Sequence, residues 1–138
     1  MSTLARPDVP SHLQTFLAFD FGLKRTGVAV GNRLLRSAQS QATIKAEGDA
    51  RFALVHARID EWQPDALVVG VPFHPDGAKH ENTERARKFA RQLHGRFRLP
   101  VFEVDERYST TEALESGAKD ADAAAACIIL EQFLRSIP

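Results

Sequence analysis

The sequence predicts an α/β domain on a mixed five-stranded sheet of order 3-2-1-4-5, with elements in the order β-β-β-α-β-α-β-α and helices on both faces. Three observations carry this expectation. Two β-rich runs near the start, Phe16 to Phe21 (FLAFDF) and Thr26 to Val30 (TGVAV), are separated by only Gly22-Leu23-Lys24-Arg25, which fits a hairpin. A later run, Ala66 to Val71 (ALVVGV), is apolar on both faces, as in a central strand covered from each side. Between and after these runs, apolar residues recur at spacings of three and four, the period of amphipathic helices.

Each element follows in turn. Strand one is Phe16 to Phe21, broken by a single carboxylate, Asp20, and strand two is its antiparallel neighbour. Leu34 to Ile44 has a weaker pattern with polar residues interleaved and reads as an edge strand beside strand two. Phe52, Val55, Ile59 and Trp62 mark one face of a helix over 49–63, which Pro64 stops. Ala66 to Val71 is strand four, ended by Pro72, and Phe73 to Lys79 (FHPDGAK) is a loop. Ala86, Phe89, Ala90, Leu93 and Phe97 form the buried stripe of a second helix, whose outer face carries Arg85, Arg87, Lys88, Arg91 and Arg96. Val101 to Val104 is strand five, and Ala121 to Arg135 is a last helix with Ala126, Ile129, Leu130 and Phe133 inward. A short helix is expected over Thr110 to Ser116.

Composition narrows the class. A chain of 138 residues, 43% of them hydrophobic, can bury about two thirds of its unfolded surface in one core. That excludes disorder for most of the chain, and also two large lobes. Residues 1–15 carry two prolines among mixed polar residues and are expected to be a flexible tail, leaving 16–138 as a single domain. One cysteine, Cys127, allows no internal disulfide and no cysteine-based zinc site, which suits the cytoplasm. No window approaches the roughly 18 apolar residues of a membrane span, and no apolar signal segment opens the chain, so no membrane partner is expected.

Net charge is zero, with 18 basic against 18 acidic residues, but the distribution is uneven. Residues 79–98 hold seven basic side chains against Glu81 and Glu84, whereas residues 99–138 hold eight acids against Arg107, Lys119 and Arg135. Such segregation sets a cationic face beside a group of carboxylates.

Asp20 ends a strand whose other residues favour burial. An isolated carboxylate there would cost several kcal/mol, so it is paired, protonated or bound to a metal. One answer is a salt bridge to Lys24 or Arg25. A second answer involves Asp105-Glu106-Arg107, where strand five leaves the sheet: two strand spacings separate it from strand one, about 10 Å, a gap that a Glu side chain and a metal ion bridge. A third carboxylate comes from the start of the last helix. At about 100° per residue, Asp122 shares the face of Ala126, Ile129 and Phe133, while Asp120 points nearly the opposite way. Either acid would also suit the helix N-terminus electrostatically. Three convergent carboxylates form an oxygen cage for Mg²⁺ or Mn²⁺, and two such ions would activate water and stabilise a leaving oxygen at a phosphodiester. Gly22 lets the backbone approach an anionic ligand, and Lys24 and Arg25 supply charge to meet it.

The segments FDFGLKRTGVAVG, VVGVPFHPDGAKHENTERARKFARQL, VDERYSTTEA and DAAAACIILEQFL, in this order, closely resemble the YqgF family, also called RuvX-like, of pre-16S rRNA nucleases. The resemblance runs from about Phe16 to Phe133. It implies an RNase H-like fold and a divalent-metal-dependent hydrolase acting in cytoplasmic maturation of the 16S rRNA 5′ end. By the same resemblance, Asp20, Glu106 and Asp122 are the catalytic and metal-binding acids, with Mg²⁺ or Mn²⁺ as cofactor. Lys24, Arg25 and Arg107 would lie near substrate phosphates, and Thr83, Arg85 and Lys88 on the helix after the Pro/Gly loop, where Arg85 and Lys88 share one exposed face. Two features depart from the family pattern: the segment before the last acids, Glu115 to Lys119, is short, and Ala123 follows Asp122 where serine is common.

The implied partner is nucleic acid: structured RNA, as in pre-16S rRNA or the ribosome, with branched DNA as the alternative, bound by a monomer or weak homodimer. Competing functions are a Holliday junction resolvase-type DNA endonuclease, which favours a symmetric dimer, and a catalytically weak RNA- or ribosome-binding module using the basic helix. Sugar-kinase and actin-like ATPases also open a phosphate loop with Asp-x-Gly, but they clamp nucleotide between two copies of this fold, and 138 residues supply one.

Overall fold

The structure is a computed structural model in which residues 9–73, 78, 81–105 and 121–137 are described. The elements are β1 (Thr15–Phe21), β2 (Thr26–Asn32), β3 (Ala38–Ile44), α1 (Gly48–Trp62), β4 (Ala66–Val71), α2 (Thr83–Phe97), β5 (Val101–Asp105) and α3 (Ala121–Ser136). The sheet order is β3-β2-β1-β4-β5, as the sequence predicts. Only β1 borders both halves of the sheet, antiparallel to β2 with Phe19 opposite Val28 and Asp20 opposite Gly27. On its other side it runs parallel to β4, with Asp20 level with Gly70.

Alternation along the strands divides the core into two layers. Leu17, Phe19, Val28, Val30, Leu67, Val69 and Val71 face α1 and α2. Phe16, Ala18, Ala29, Ala66 and Val68 face α3. All of β4 is buried, which is why its sequence shows no alternation. In the first layer Phe89 of α2 is the hub, with ring centroids 5.0 Å from Phe21, 5.8 Å from Phe52 and 6.0 Å from Phe19. In the second, Phe133 packs at 5.1 Å from Phe16 and 5.4 Å from Phe102.

The third strand is shorter than predicted. Leu34 and Leu35 lie in a turn closed by the Arg36 N–H donating to the Asn32 carbonyl at 2.9 Å, with Arg36 in the left-handed region at φ 54°. Both leucines are exposed, at 86% and 68%, so their apolar character is not a strand signal. Helices α1 and α2 end on left-handed residues too, Gln63 and Arg98, whose N–H groups close the last turn onto Ile59 and His94. The helix expected over Thr110 to Ser116 lies outside the described residues.

The flexible tail expected over residues 1–15 is corrected from Val9 onward. Val9 and Leu13 are buried in the α3 layer, and Thr15 already belongs to β1. The reason is a buried cation: the Arg33 guanidinium, just after β2, donates to the carbonyls of Pro10 at 2.7 Å, Leu13 at 2.9 Å and Val9 at 3.0 Å. From the other side, Asp65 accepts the N–H groups of Gln14 at 2.8 Å and Thr15 at 3.0 Å.

Helix α3 lies close on the sheet because glycines make room for it. A Cβ on Gly27 would stand 1.9 Å from the Asp122 carbonyl oxygen, and one on Gly31 would stand 3.0 Å from Leu130 Cδ2. Arg36 holds the far end of α3, donating to the carbonyls of Leu134 at 2.6 Å and Ile137 at 2.8 Å. No helix among the described residues is long and apolar enough to cross a membrane.

Two outcomes follow for stability. Gly27→Ala forces α3 off the sheet and is expected to cost about 2–3 kcal/mol; Gly95→Ala, where a Cβ meets nothing within 4 Å, is expected to stabilise by up to about 1 kcal/mol. Urea unfolding of the pair checks both. For Asp65, the bonds from Thr15 and Gln14, helped by His12, hold the carboxyl below the usual carboxylate range despite its partial burial. The contribution is therefore complete above the unfolded pKa of about 4 and fades as pH falls through the lower folded value. Asp65→Ala should cost about 1 kcal/mol at neutral pH, and the gap to wild type should close in acid.

Candidate active site

Asp20 sits at the C-terminal end of β1, on the α3 face with Phe16 and Ala18, and is only partly exposed. Its register neighbours on both flanks are glycines, Gly27 of β2 and Gly70 of β4. On the β2 flank the space left by the missing side chain is taken by the backbone of Asp122, as the Gly27 contact shows. Two of the three predicted acids, Asp20 and Asp122, therefore come from opposite ends of the chain to the same corner of the sheet.

Asp122 lies in the first turn of α3, where unsatisfied backbone N–H groups favour negative charge. Arg25, the last residue of the β1–β2 turn, brings its Nε to 3.0 Å from Asp122 Oδ2. The pair is close in distance but not aligned as a hydrogen bond: Oδ2 is shielded from solvent and accepts no such bond among the described residues. The sequence offers Lys24 or Arg25 as a partner for Asp20; the ion pair formed here joins Arg25 to Asp122 of α3. The Arg25 side chain remains 60% exposed, so the ion pair contributes little stability and is readily exchanged.

Lys24 is exposed at the tip of the same turn. The start of α2 is tied to the end of β4 by the buried Thr83, whose hydroxyl donates to the Pro72 carbonyl. This anchors the helix at the edge of the sheet where Asp20 lies. One turn along, Arg85 is exposed and donates to Asn82 Oδ1 at 2.9 Å, and Lys88 is exposed beyond it. Other cations of α2 are engaged within the fold: Arg87 pairs with Glu103 at 3.7 Å and Glu84 at 3.9 Å, and Arg96 lies over the Phe52 ring and 3.4 Å from Asp49. The predicted residues Glu106 and Arg107, and Asp120, lie outside the described residues. Burial and then Glu131 push the Cys127 thiol up, against a hydrogen bond with Ser40, which disfavours its thiolate.

One residue of the corner escapes the sequence reading. Arg51, in the first turn of α1, is 5% exposed and reaches behind the β1–β2 turn. Its Nη2 donates to the carbonyls of Gly22, at 2.8 Å, and Leu23, its Nε donates to Ala46 at 3.1 Å, and its guanidinium lies 4.5 Å from the centre of the Phe21 ring. Burial pushes it below its ordinary pKa, with Glu47 acting the other way. The signal in the sequence is an arginine four residues before Val55, on the apolar stripe of α1.

The donor chemistry of this corner suits a hard cation. Carboxylate oxygens are the preferred ligands of Mg²⁺ and Mn²⁺, and Asp122 Oδ2, shielded and held only by the exposed Arg25, beside a glycine-flanked Asp20 is donor chemistry that fits one. Among the described residues no group of three or more such ligands is formed, so the corner supplies two acids.

Comparison with known proteins agrees with the motifs. A family model, RuvX, described as Holliday junction resolvase, matches residues 14–136. A protein of Albidiferax ferrireducens named "Putative pre-16S rRNA nuclease" is 79% identical over 129 residues, which are 94% of this chain and 83% of that protein. A protein of the same name from Polaromonas sp. is 72% identical over 138 residues, the whole of both chains. Among solved structures, T. thermophilus RuvC in complex with Holliday junction substrate has a similar fold, with a TM-score of 0.51 at 18% identity, over 88% of this chain and 93% of that one. The likeness in fold stands on the same five-stranded order, and the motif resemblance on nearly the full length of the domain: the chain belongs to the RuvX (YqgF) family.

Proposed function

We propose that this chain is a divalent-metal-dependent nuclease that hydrolyses RNA phosphodiesters in 5′-end maturation of pre-16S rRNA. The observation that carries the reading is the meeting of Asp20 and Asp122 across Gly27, at the end of the sheet where α2 presents Arg85 and Lys88. The names of the relatives from Albidiferax and Polaromonas support the substrate.

In this reading Asp20, Asp122 and Glu106, which follows β5 directly, hold Mg²⁺ or Mn²⁺. The ion supplies activation of water and charge neutralisation at the phosphodiester. The chain itself binds and orients. Lys24 and Arg25 meet phosphate oxygens beside the acids, Arg107 joins them from the β5 side, and Arg85 and Lys88 hold the backbone further along. Arg25 exchanges Asp122 for phosphate as substrate arrives, a change its exposure makes inexpensive. An rRNA substrate implies the cytoplasm, and one acid cluster per chain is compatible with a monomer or a weak homodimer. The family description also makes a four-way DNA junction a substrate to test.

The test compares wild type, Asp20→Asn, Asp122→Asn and Glu106→Gln on a 5′-extended 16S rRNA precursor and on a four-way DNA junction, with Mg²⁺, Mn²⁺ or chelator, each variant checked by circular dichroism. Wild type is expected to cleave the RNA only with metal, and each folded variant to lose about a hundredfold or more. Cleavage of the junction alone would replace the RNA substrate by DNA. Metal-independent RNA binding with no cleavage of either would make the chain a binding module.

A further inference from the structure

Arg51 raises a question that the acids do not answer: why a guanidinium is buried behind the β1–β2 turn. A buried charge is costly unless its donors are satisfied, and among the described residues Arg51 is satisfied by three carbonyl oxygens and a ring face, not by a carboxylate. An apolar residue would fill such a space at lower cost. The guanidinium does something an apolar residue cannot: it fixes the direction of two successive peptide planes.

The peptide bonds of the described residues are trans, and in a trans peptide the C=O and the following N–H point in opposite directions. With the Gly22 and Leu23 carbonyls drawn toward Arg51, the N–H groups of Leu23 and Lys24 point away from α1. Neither forms a backbone hydrogen bond within the turn. Leu23 is 53% exposed and Lys24 is exposed, so the turn that carries these two donors is open to solvent. Consecutive N–H groups directed the same way at a turn can receive an anion between them. Gly22 keeps the turn tight, since a Cβ there would stand 2.6 Å from the Arg25 carbonyl oxygen. The Lys24 side chain and the exchangeable Arg25 flank these two N–H groups.

We propose that the β1–β2 turn is a backbone phosphate site, in which the Leu23 and Lys24 N–H groups receive a phosphate oxygen and Arg51 is the positioning residue that holds them outward. The site rests on the reading that substrate phosphates meet this turn, and it adds to that reading a contact independent of side-chain charge. Arg51 touches no substrate; it acts through the peptide planes.

The experiment follows backbone amide resonances of the ¹⁵N-labelled full chain during titration with a short single-stranded RNA in chelator, so that no cleavage intervenes. In wild type the Leu23 and Lys24 amides are expected to move downfield with the bound fraction. In Arg51→Lys and Arg51→Leu these shifts should shrink or vanish and the affinity should fall about tenfold, while the rest of the spectrum stays folded. Lys24→Gln should weaken binding and flatten its salt dependence yet leave the Leu23 amide shift in place, since a lost side-chain charge does not turn the peptide. Wild-type binding that moves only amides of α2 overturns the site while leaving the nuclease reading to the acid variants. A folded Arg51 variant with wild-type shifts and affinity overturns the role of Arg51. If Arg51→Leu does not fold, Arg51→Lys and the wild-type titration decide.

Discussion

The close approach of α3 to β2 at Gly27 is the constraint on which the site depends. A helix resting on a sheet is normally held off by the side chains of both. Here the strand offers glycine at two positions of one face, Gly27 and Gly31, which the helix meets with Asp122 and Leu130. Four strand residues span about 13 Å and eight helix residues about 12 Å, so the two contacts lie in step along nearly parallel axes. The same contact that seats the helix brings the Asp122 backbone beside Asp20. Packing and site assembly are one event, and the alanine-rich start of α3 leaves no bulk to obstruct it.

Three arginines organise the backbone around this contact by binding carbonyl groups. Arg33 gathers residues 9–13 against the start of β1, Arg36 holds the end of α3, and Arg51 holds the turn that carries Lys24 and Arg25. A planar guanidinium with several fixed donors suits this work better than an ammonium. Each of these guanidiniums is engaged by carbonyl oxygens, whereas Lys24 in the turn and Arg85 and Lys88 on α2 stand exposed.

Most of the sheet was legible because its signals are local. An apolar run over 66–71, a four-residue gap between β1 and β2, and the three-and-four spacing of Phe89 and Leu93 each reflect a requirement of a single element. Asp20 and Asp122 were legible for a related reason: a carboxylate on an apolar face is an anomaly within its own element. What escaped depends on contacts between distant segments. Nothing within residues 1–15 announces that Arg33 will hold Val9 and Leu13, and Leu34 and Leu35 imitate a strand although they cap an exposed turn. Arg51 was passed over because one cation on an amphipathic helix is common, and only its partners distinguish it from a solvated one.

The chain order of the two acids has a consequence for biosynthesis. Asp20 belongs to the first strand and Asp122 to the last helix, and the face of β1 and β2 bearing Phe16, Ala18 and Ala29 is covered by α3. At about 5–20 residues per second, roughly 5–20 s separate the emergence of the two residues from a ribosome. Throughout that interval the acid pair does not exist and one apolar face of the hairpin lacks its cover. A nascent chain of this architecture thus gains its acid pair only when α3 has left the exit tunnel.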